Sequence, residues 1–292
     1  MKNNNKSYNQ RKVYLLIFVF VISIPTLAYL TGKIFNREIL FLEITTIFTL
    51  FIIFYSYFFS SKLVLFITKA KKTSQEEYGN IYKVINEFSS KLSITAPKLY
   101  IAGSSSLNSL ATGRGPKQGA IILTDGLVKS LNKIEIESVI AHELTHLKNS
   151  DTKLTDLLTV LIGVPFFLTN YFISKLSDIG GAKQTEKGNN LLFIFFGLIS
   201  VMFVPLFASI QNLFLSNKRE LLADADAVLL TRYPEGLISA LEKIEKDSHS
   251  SLNNAIAHAC IINICGKKKG FVNNLFNSHP SIEERVRILK SM

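Results

Sequence analysis

The sequence predicts a mostly α-helical chain with one small β-sheet, in which a four-helix transmembrane anchor carries a folded domain on one side of the bilayer. Three observations carry this expectation. Four long apolar runs, at 13–30, 39–59, 157–173 and 191–215, hold most of the 22 Phe of the 292 residues. Three short apolar runs, at 99–102, 107–112 and 120–124, are each bounded by Gly, Ser or Pro and read as strands of one sheet. Between these groups apolar residues recur at helical spacing, as in Ile81, Ile85, Phe88 and Leu92.

The formal charge of +11 is compatible with several partners, and its distribution separates them. Basic residues flank the apolar runs (Lys2, Lys6, Arg11 and Lys12 before the first; Lys62, Lys69, Lys71 and Lys72 after the second), the pattern of positive-inside topology and attraction to anionic lipid. No zinc-finger or RNP signature accompanies them, so nucleic acid is not an expected partner and the lipid bilayer is. Cys260 and Cys265 fall in a stretch expected in the cytosol, and lack the second Cys or Cys/His pair of a metal site. They read as buried structural thiols.

Taken in order, residues 1–12 form a cytosolic N-terminus and 13–60 a transmembrane hairpin, each run long enough for a bilayer that needs about 20 residues. A cleaved signal peptide ending near Ala28 is the rival for the first run, whose length is excessive for that role. Glu43 lies near the end of its run and faces water or a partner helix. Residues 61–156 form the first part of the folded domain. Ser74 and Glu77 make a capping box for the helix carrying Ile81 and Ile85, the strands follow, and Asn132 with Glu135 cap the next helix. Residues 157–215 form a second hairpin, although its first half is short and contains Pro165, which leaves a re-entrant helix open. Residues 216–292 complete the domain, ending in a helix that Ser281 and Glu284 cap and whose apolar side is Ile282, Val286 and Leu289.

The helix after Asn132 carries His142-Glu143-Leu144-Thr145-His146. Histidines at i and i+4 share a face about 5 to 6 Å apart and can bind one metal ion together. Glu143, a step round the helix, can reach a metal-activated water without being a ligand. A catalytic zinc takes three protein ligands, and Glu220, on the helix after the fourth apolar run, is the expected third. Asp224, one turn later, can accept from the other nitrogen of a ligand histidine and fix its tautomer. His279, on the loop before the last helix, can donate to an oxyanion if that loop folds over the site. The sheet beside the metal helix can accept an extended peptide as an added strand. No role is assigned to His249 or His258, and Lys267 to Lys269 read as a solvated turn at the headgroups.

Four motifs in order resemble the HtpX family of membrane-bound zinc metallopeptidases, relatives of the CAAX prenyl proteases. They are Asn108-Ser109-Leu110-Ala111-Thr112-Gly113-Arg114; Ala141 to His146 with Asn149 and Asp151 after it; Arg219-Glu220 with Ala223-Asp224; and His279-Pro280 with Glu284-Arg285. The resemblance covers roughly residues 10 to 290. It implies four membrane helices, a cytosolic gluzincin-like catalytic domain, one zinc ion per chain, and a role in degrading misfolded membrane proteins under stress. It also implies that Asn108, Ser109, Leu110 and Ala111 are the edge strand that aligns substrate. Ser109 and Leu110 stand where the family has Ala and Phe, and Asn217 where an Arg is common, which touches subsite preference and a supporting salt bridge but no ligand. The expected activity is therefore zinc-dependent endopeptidase cleavage of membrane proteins at the inner membrane. The rivals are a prenyl-protein protease, which shares the chemistry but calls for a larger membrane chamber, and a non-catalytic membrane adaptor with a vestigial metal site.

Overall fold

The computed structural model describes residues 2–34, 36–163, 217–247, 260 and 280–292. The fourth apolar run, the 175–190 loop, His249, His258, Cys265, the Lys267 to Lys269 turn and His279 lie outside the described residues.

Helices α1 (Lys2–Ile34) and α2 (Glu38–Ile67) pack along each other as the expected hairpin. Their outward faces are apolar: Phe48, Phe51 and Phe54 are each about 60 % exposed, surface that water would penalise and lipid does not. The buried stripe of α2 is instead Thr49, Ile53, Ser56, Ser60 and Val64. Small hydroxyl residues inside and Phe outside invert the pattern of a soluble helix and suit helix packing in a bilayer, where close approach replaces the hydrophobic effect. Both helices are long and apolar enough to cross a membrane.

The sheet has the order β1-β2-β4-β3, with β1 (Lys71–Lys72), β2 (Lys98–Ala102), β3 (Ser109–Gly113) and β4 (Gly119–Thr124). Pairing is antiparallel for β1 with β2 and β3 with β4, and parallel for β2 with β4. Three strands match the expected runs; β1 was not expected, since two exposed lysines carry no apolar alternation. Helix α3 (Gly79–Leu92) buries Ile81, Ile85 and Phe88 as its spacing predicts. Its N-cap is Tyr78, not the Ser74–Glu77 pair: Ser74 Oγ accepts the Glu77 N–H at 3.4 Å inside the preceding turn, so that box closes a turn and the helix starts later.

After α4 (Asp125–Ser130) comes the central helix α5 (Lys133–Asn149), buried along most of its length among α3, the sheet and the later helices. Ser150, left-handed at φ 59°, ends it and turns the chain into α6 (Asp151–Leu158), which continues as a π-helical turn, Thr159–Gly163. The third apolar run is described only that far. Helices α7 (Asn217–Thr231) and α8 (Pro234–Lys246) pack on α5, and α9 (Ile282–Leu289) on α7 and α8. Ser281 caps α9 by accepting the Glu284 N–H at 3.2 Å. Cys260 is buried beside Val64, Leu110 and Ile122, as a structural thiol is expected to be.

Candidate metal centre

The centre is built on α5. Asn132 Oδ1 accepts the Glu135 N–H at 3.0 Å and Glu135 Oε2 accepts the Asn132 N–H at 2.8 Å, the expected reciprocal cap. Helix α8 locks the cap in place, because Ser239 Oγ and Lys243 Nζ donate to the Glu135 carboxylate at 2.6 and 2.8 Å. Burial favours the neutral acid, but these three donors outweigh it and hold the Glu135 pKa below its ordinary value. Gly236 lets α8 come this close: a Cβ there would sit 2.5 Å from Ser138 Oγ.

Two turns on, His142 and His146 bring their Nε2 atoms to 3.1 Å. Glu220 on α7 reaches both, with Oε2 3.7 Å from His142 Nε2 and Oε1 3.7 Å from His146 Nε2. The three ligand atoms lie within 4.8 Å of one another. Each histidine has a carboxylate at its other nitrogen. Asp151 Oδ2 is 3.0 Å from His146 Nδ1, and Asp224 Oδ1 is 2.9 Å from His142 Nδ1, at ion-pair distance though off the line of a hydrogen bond. This donor set fits zinc: two imidazoles whose Nε2 atoms face one point, each with a carboxylate behind it, and a third ligand oxygen between them. Burial disfavours a charged His146, yet Glu220, Asp151 and Glu143 together raise its pKa to about 9.

Glu143 is buried, and its Oε1 accepts from Ser109 Oγ at 2.6 Å. Burial pushes its pKa up and Glu220 adds to the rise, against the pull of both imidazoles and the Ser109 hydroxyl. Behind Asp224 stands Arg285, among the most completely buried side chains of the protein. Its Nε and Nη2 donate to the two Asp224 oxygens at 2.8 and 2.6 Å. Burial alone would raise the Asp224 pKa; the guanidinium, with His142, brings it below the ordinary value, and the carboxylate in turn raises that of Arg285 despite its own burial.

Strand β3 is the outer strand beside this centre. Asn108 O accepts the Thr124 N–H at 3.1 Å and the Arg114 N–H reaches Gln118 O at 2.9 Å, so even-numbered residues pair with β4 and the main-chain groups of Ser109, Ala111 and Gly113 point outward. Asn108 Oδ1 accepts the Ser109 N–H at 2.9 Å. Helix α6 takes both groups of Gly113: Asp156 Oδ2 accepts its N–H and Thr152 Oγ1 donates to its carbonyl, each at 2.9 Å. Only glycine suits that position, where φ is +134° and a Cβ would lie 2.2 Å from Gln118 O. Asp156 also accepts from Thr112 Oγ1 and from Ser61 Oγ of α2, tying the strand to the hairpin.

The structure thus brings together His142, Glu143, His146, Glu220, Asp224 and Ser109, with Asn108, Leu110 and Ala111 buried along the adjoining strand. His279 lies outside the described residues; its neighbour Pro280 is buried at the start of the turn into α9. Sequence reasoning quoted Asp151 and Arg285 in motifs without giving either a role, and missed Asp156 and the Ser109 contact. A signal existed for Asp151 alone, which follows His146 by five residues just past the helix end.

Residues 75–292 match the model of Peptidase family M48. Among curated relatives, a protease HtpX homolog of Dictyoglomus thermophilum is 34 % identical over 284 residues, covering 97 % of this chain and 92 % of its own. One of Campylobacter curvus is 38 % identical over 244 residues, covering 82 % and 83 %, and one of Streptococcus thermophilus is 31 % identical with 97 % of both chains covered. The crystal structure of S. mikatae Ste24p aligns at 20 % identity and a TM-score of 0.49, over 97 % of this chain and 66 % of that one.

Proposed function

The chain belongs to peptidase family M48, among whose HtpX proteases its relatives lie, and we propose that this membrane zinc metalloprotease cuts misfolded or damaged membrane proteins at a centre held by His142, His146 and Glu220. The observation that carries the reading is convergence. Two histidines of α5 and a carboxylate from a helix far along the chain bring their ligand-type atoms within 4.8 Å of one another, with Glu143 next to His142 in the sequence.

Zinc held there by His142, His146 and Glu220 would supply Lewis acidity toward a water molecule and toward the scissile carbonyl. Glu143 takes the proton from that water and returns it to the leaving amine. Burial suits it to the first step, because a carboxylate with raised proton affinity is a better acceptor than an exposed one. Asp224 and Asp151 hold the imidazole rings with Nε2 turned to the centre. His279 donates to the oxyanion. Asn108, Ser109, Leu110 and Ala111 line up the substrate as an added strand, with the outward amide and carbonyl of Ala111 at the middle of that edge.

In the proposed topology 1–12, 61–156 and 216–292 face the cytoplasm, 13–60 and 157–215 are hairpins, and the protein is a multi-pass resident of the cell membrane. The exposure of Phe48, Phe51 and Phe54 on α2 and the inverted packing stripe support the first hairpin. The deciding experiment is metal analysis with proteolysis of a membrane-protein substrate by wild type and Glu143→Ala. The variant is expected to keep stoichiometric zinc and lose cleavage by at least about 100-fold, the scale of general-base catalysis. Undiminished turnover removes Glu143 from the reaction, and absence of zinc from the wild type removes the whole reading.

A further inference from the structure

A second feature apart from the metal centre lies where the hairpin meets the folded domain. A narrow cleft there is lined by Val13, Tyr57, Ser60, Arg114, Lys153 and Leu157. Its two cations come from different elements, Arg114 from the end of β3 and Lys153 from α6, and both rest on consecutive residues of α2. Lys153 Nζ donates to Tyr57 Oη at 2.8 Å and sits 4.2 Å from the centre of that ring. Arg114 Nη2 donates to Phe58 O at 3.0 Å, with its guanidinium 5.2 Å from the Phe58 ring centre. Among the described residues neither cation is paired with a carboxylate. Two positive side chains that line one cleft are therefore each held by neutral partners.

The level of this cleft relative to the bilayer follows from the helices that line it. The uncharged run of α1 begins at Val13, directly after Arg11 and Lys12, and that of α2 ends just before Lys62. Eighteen residues, 13–30, rise about 27 Å as helix, close to the roughly 30 Å of a hydrocarbon core. Val13 and Ser60 thus stand at one boundary between hydrocarbon and headgroups, and so does the cleft they share. The abundant anions at that level are phosphodiesters of lipids.

We infer that Arg114 and Lys153 form a site, at the mouth of this cleft, for the phosphate of an anionic phospholipid whose glycerol lies against Tyr57. The guanidinium offers a fork to the two non-bridging phosphate oxygens, and the ammonium a point charge to the same anionic pair. Arg114 directly follows Gly113, so an occupied site also steadies the end of the outer strand. The inference rests on the membrane placement proposed above, and it needs no assumption about the reaction.

The test uses the full chain reconstituted in vesicles of phosphatidylcholine or of an equimolar mixture of phosphatidylcholine and phosphatidylglycerol, and native mass spectrometry of lipid retained after detergent extraction. Wild type is expected to retain phosphatidylglycerol, and Arg114→Gln/Lys153→Gln to retain it about 30-fold less well, two charges each worth roughly a factor of five at a lipid surface. Lys71→Gln/Lys72→Gln, which removes the same charge from the exposed β1, is expected to behave as wild type. Equal loss in both double variants would reduce the site to diffuse attraction and overturn the inference, as would unchanged retention in the first. Inorganic phosphate is the second arm: if it displaces the lipid at equal concentration, the site takes free phosphate and the lipid assignment fails. Cleavage in phosphatidylcholine vesicles separates the two proposals, because the Arg114/Lys153 variant keeps wild-type activity there if only lipid binding is lost.

Discussion

Ser109 shows how one substitution within a family pattern acquires a contact. Where an alanine would leave the proposed base without this hydrogen bond, the Ser109 hydroxyl donates to Glu143 at 2.6 Å. Ser109→Ala is expected to lower kcat about 10- to 100-fold with little change in KM, since one hydrogen bond to a charged group is worth roughly 1.5–3 kcal/mol; steady-state kinetics on a peptide substrate reads both constants. Arg285 carries larger consequences for stability. Removing it leaves the Asp224 carboxylate buried behind His142 without its cation, so Arg285→Leu is expected to cost about 3–5 kcal/mol in denaturant unfolding of the detergent-solubilised protein. Asp224→Asn/Arg285→Leu together should cost less than Arg285→Leu alone, because no unpaired charge remains.

At the level of elements, α5 depends on its N-terminal cap and on the α8 residues that grip it. Glu135 has a depressed pKa, so its contribution to stability is fully present above its ordinary value of 4.5 and is lost as pH falls through the lower folded value. Glu135→Gln, which keeps an acceptor for the Asn132 N–H but removes the charge facing Lys243 and Ser239, is expected to lower the melting temperature at neutral pH, by an amount corresponding to about 1 kcal/mol for weakened hydrogen bonds, with the gap to wild type closing in acid. A thermal-shift series against pH checks the sign. The cap, the helix and the paired histidines were legible in the sequence because each is a local pattern of three to five residues. Glu220 and Asp224 were legible only by their place on a second helix facing the first. Asp156 and Arg285 were not, since their partners stand 44 and 61 residues away and nothing local marks either as paired. The start of α3 was misplaced for a related reason. Ser74 and Glu77 satisfy the cap pattern, but the turn they close precedes Gly79, and the chain passes through β1 on the way because β2 offers it an edge.

For the whole molecule, the hairpin and the folded domain are joined through side chains as well as through the chain itself. Ser61 of α2 reaches Asp156, which holds β3, while Leu154, Leu157 and Leu158 of α6 share one buried cluster with Val13, Leu16 and Phe20 of α1. The proposed topology places Asn36 outside and Lys117 inside. In a background with Cys260 and Cys265 replaced by serine, a membrane-impermeant maleimide applied to intact cells is expected to label Asn36→Cys and to spare Lys117→Cys until the membrane is opened. The reverse pattern would turn the protein over. The separation of the parts of the centre along the chain has a further bearing on how the protein is made. Translation delivers Ser109, His142, Glu143 and His146 early, Glu220 and Asp224 later, and Arg285 later still. On the proposed ligand set and topology, a growing chain that already carries the base and two imidazoles lacks the third corner and the buried cation throughout insertion of its membrane segments, so it becomes able to cut only after those segments have been laid down.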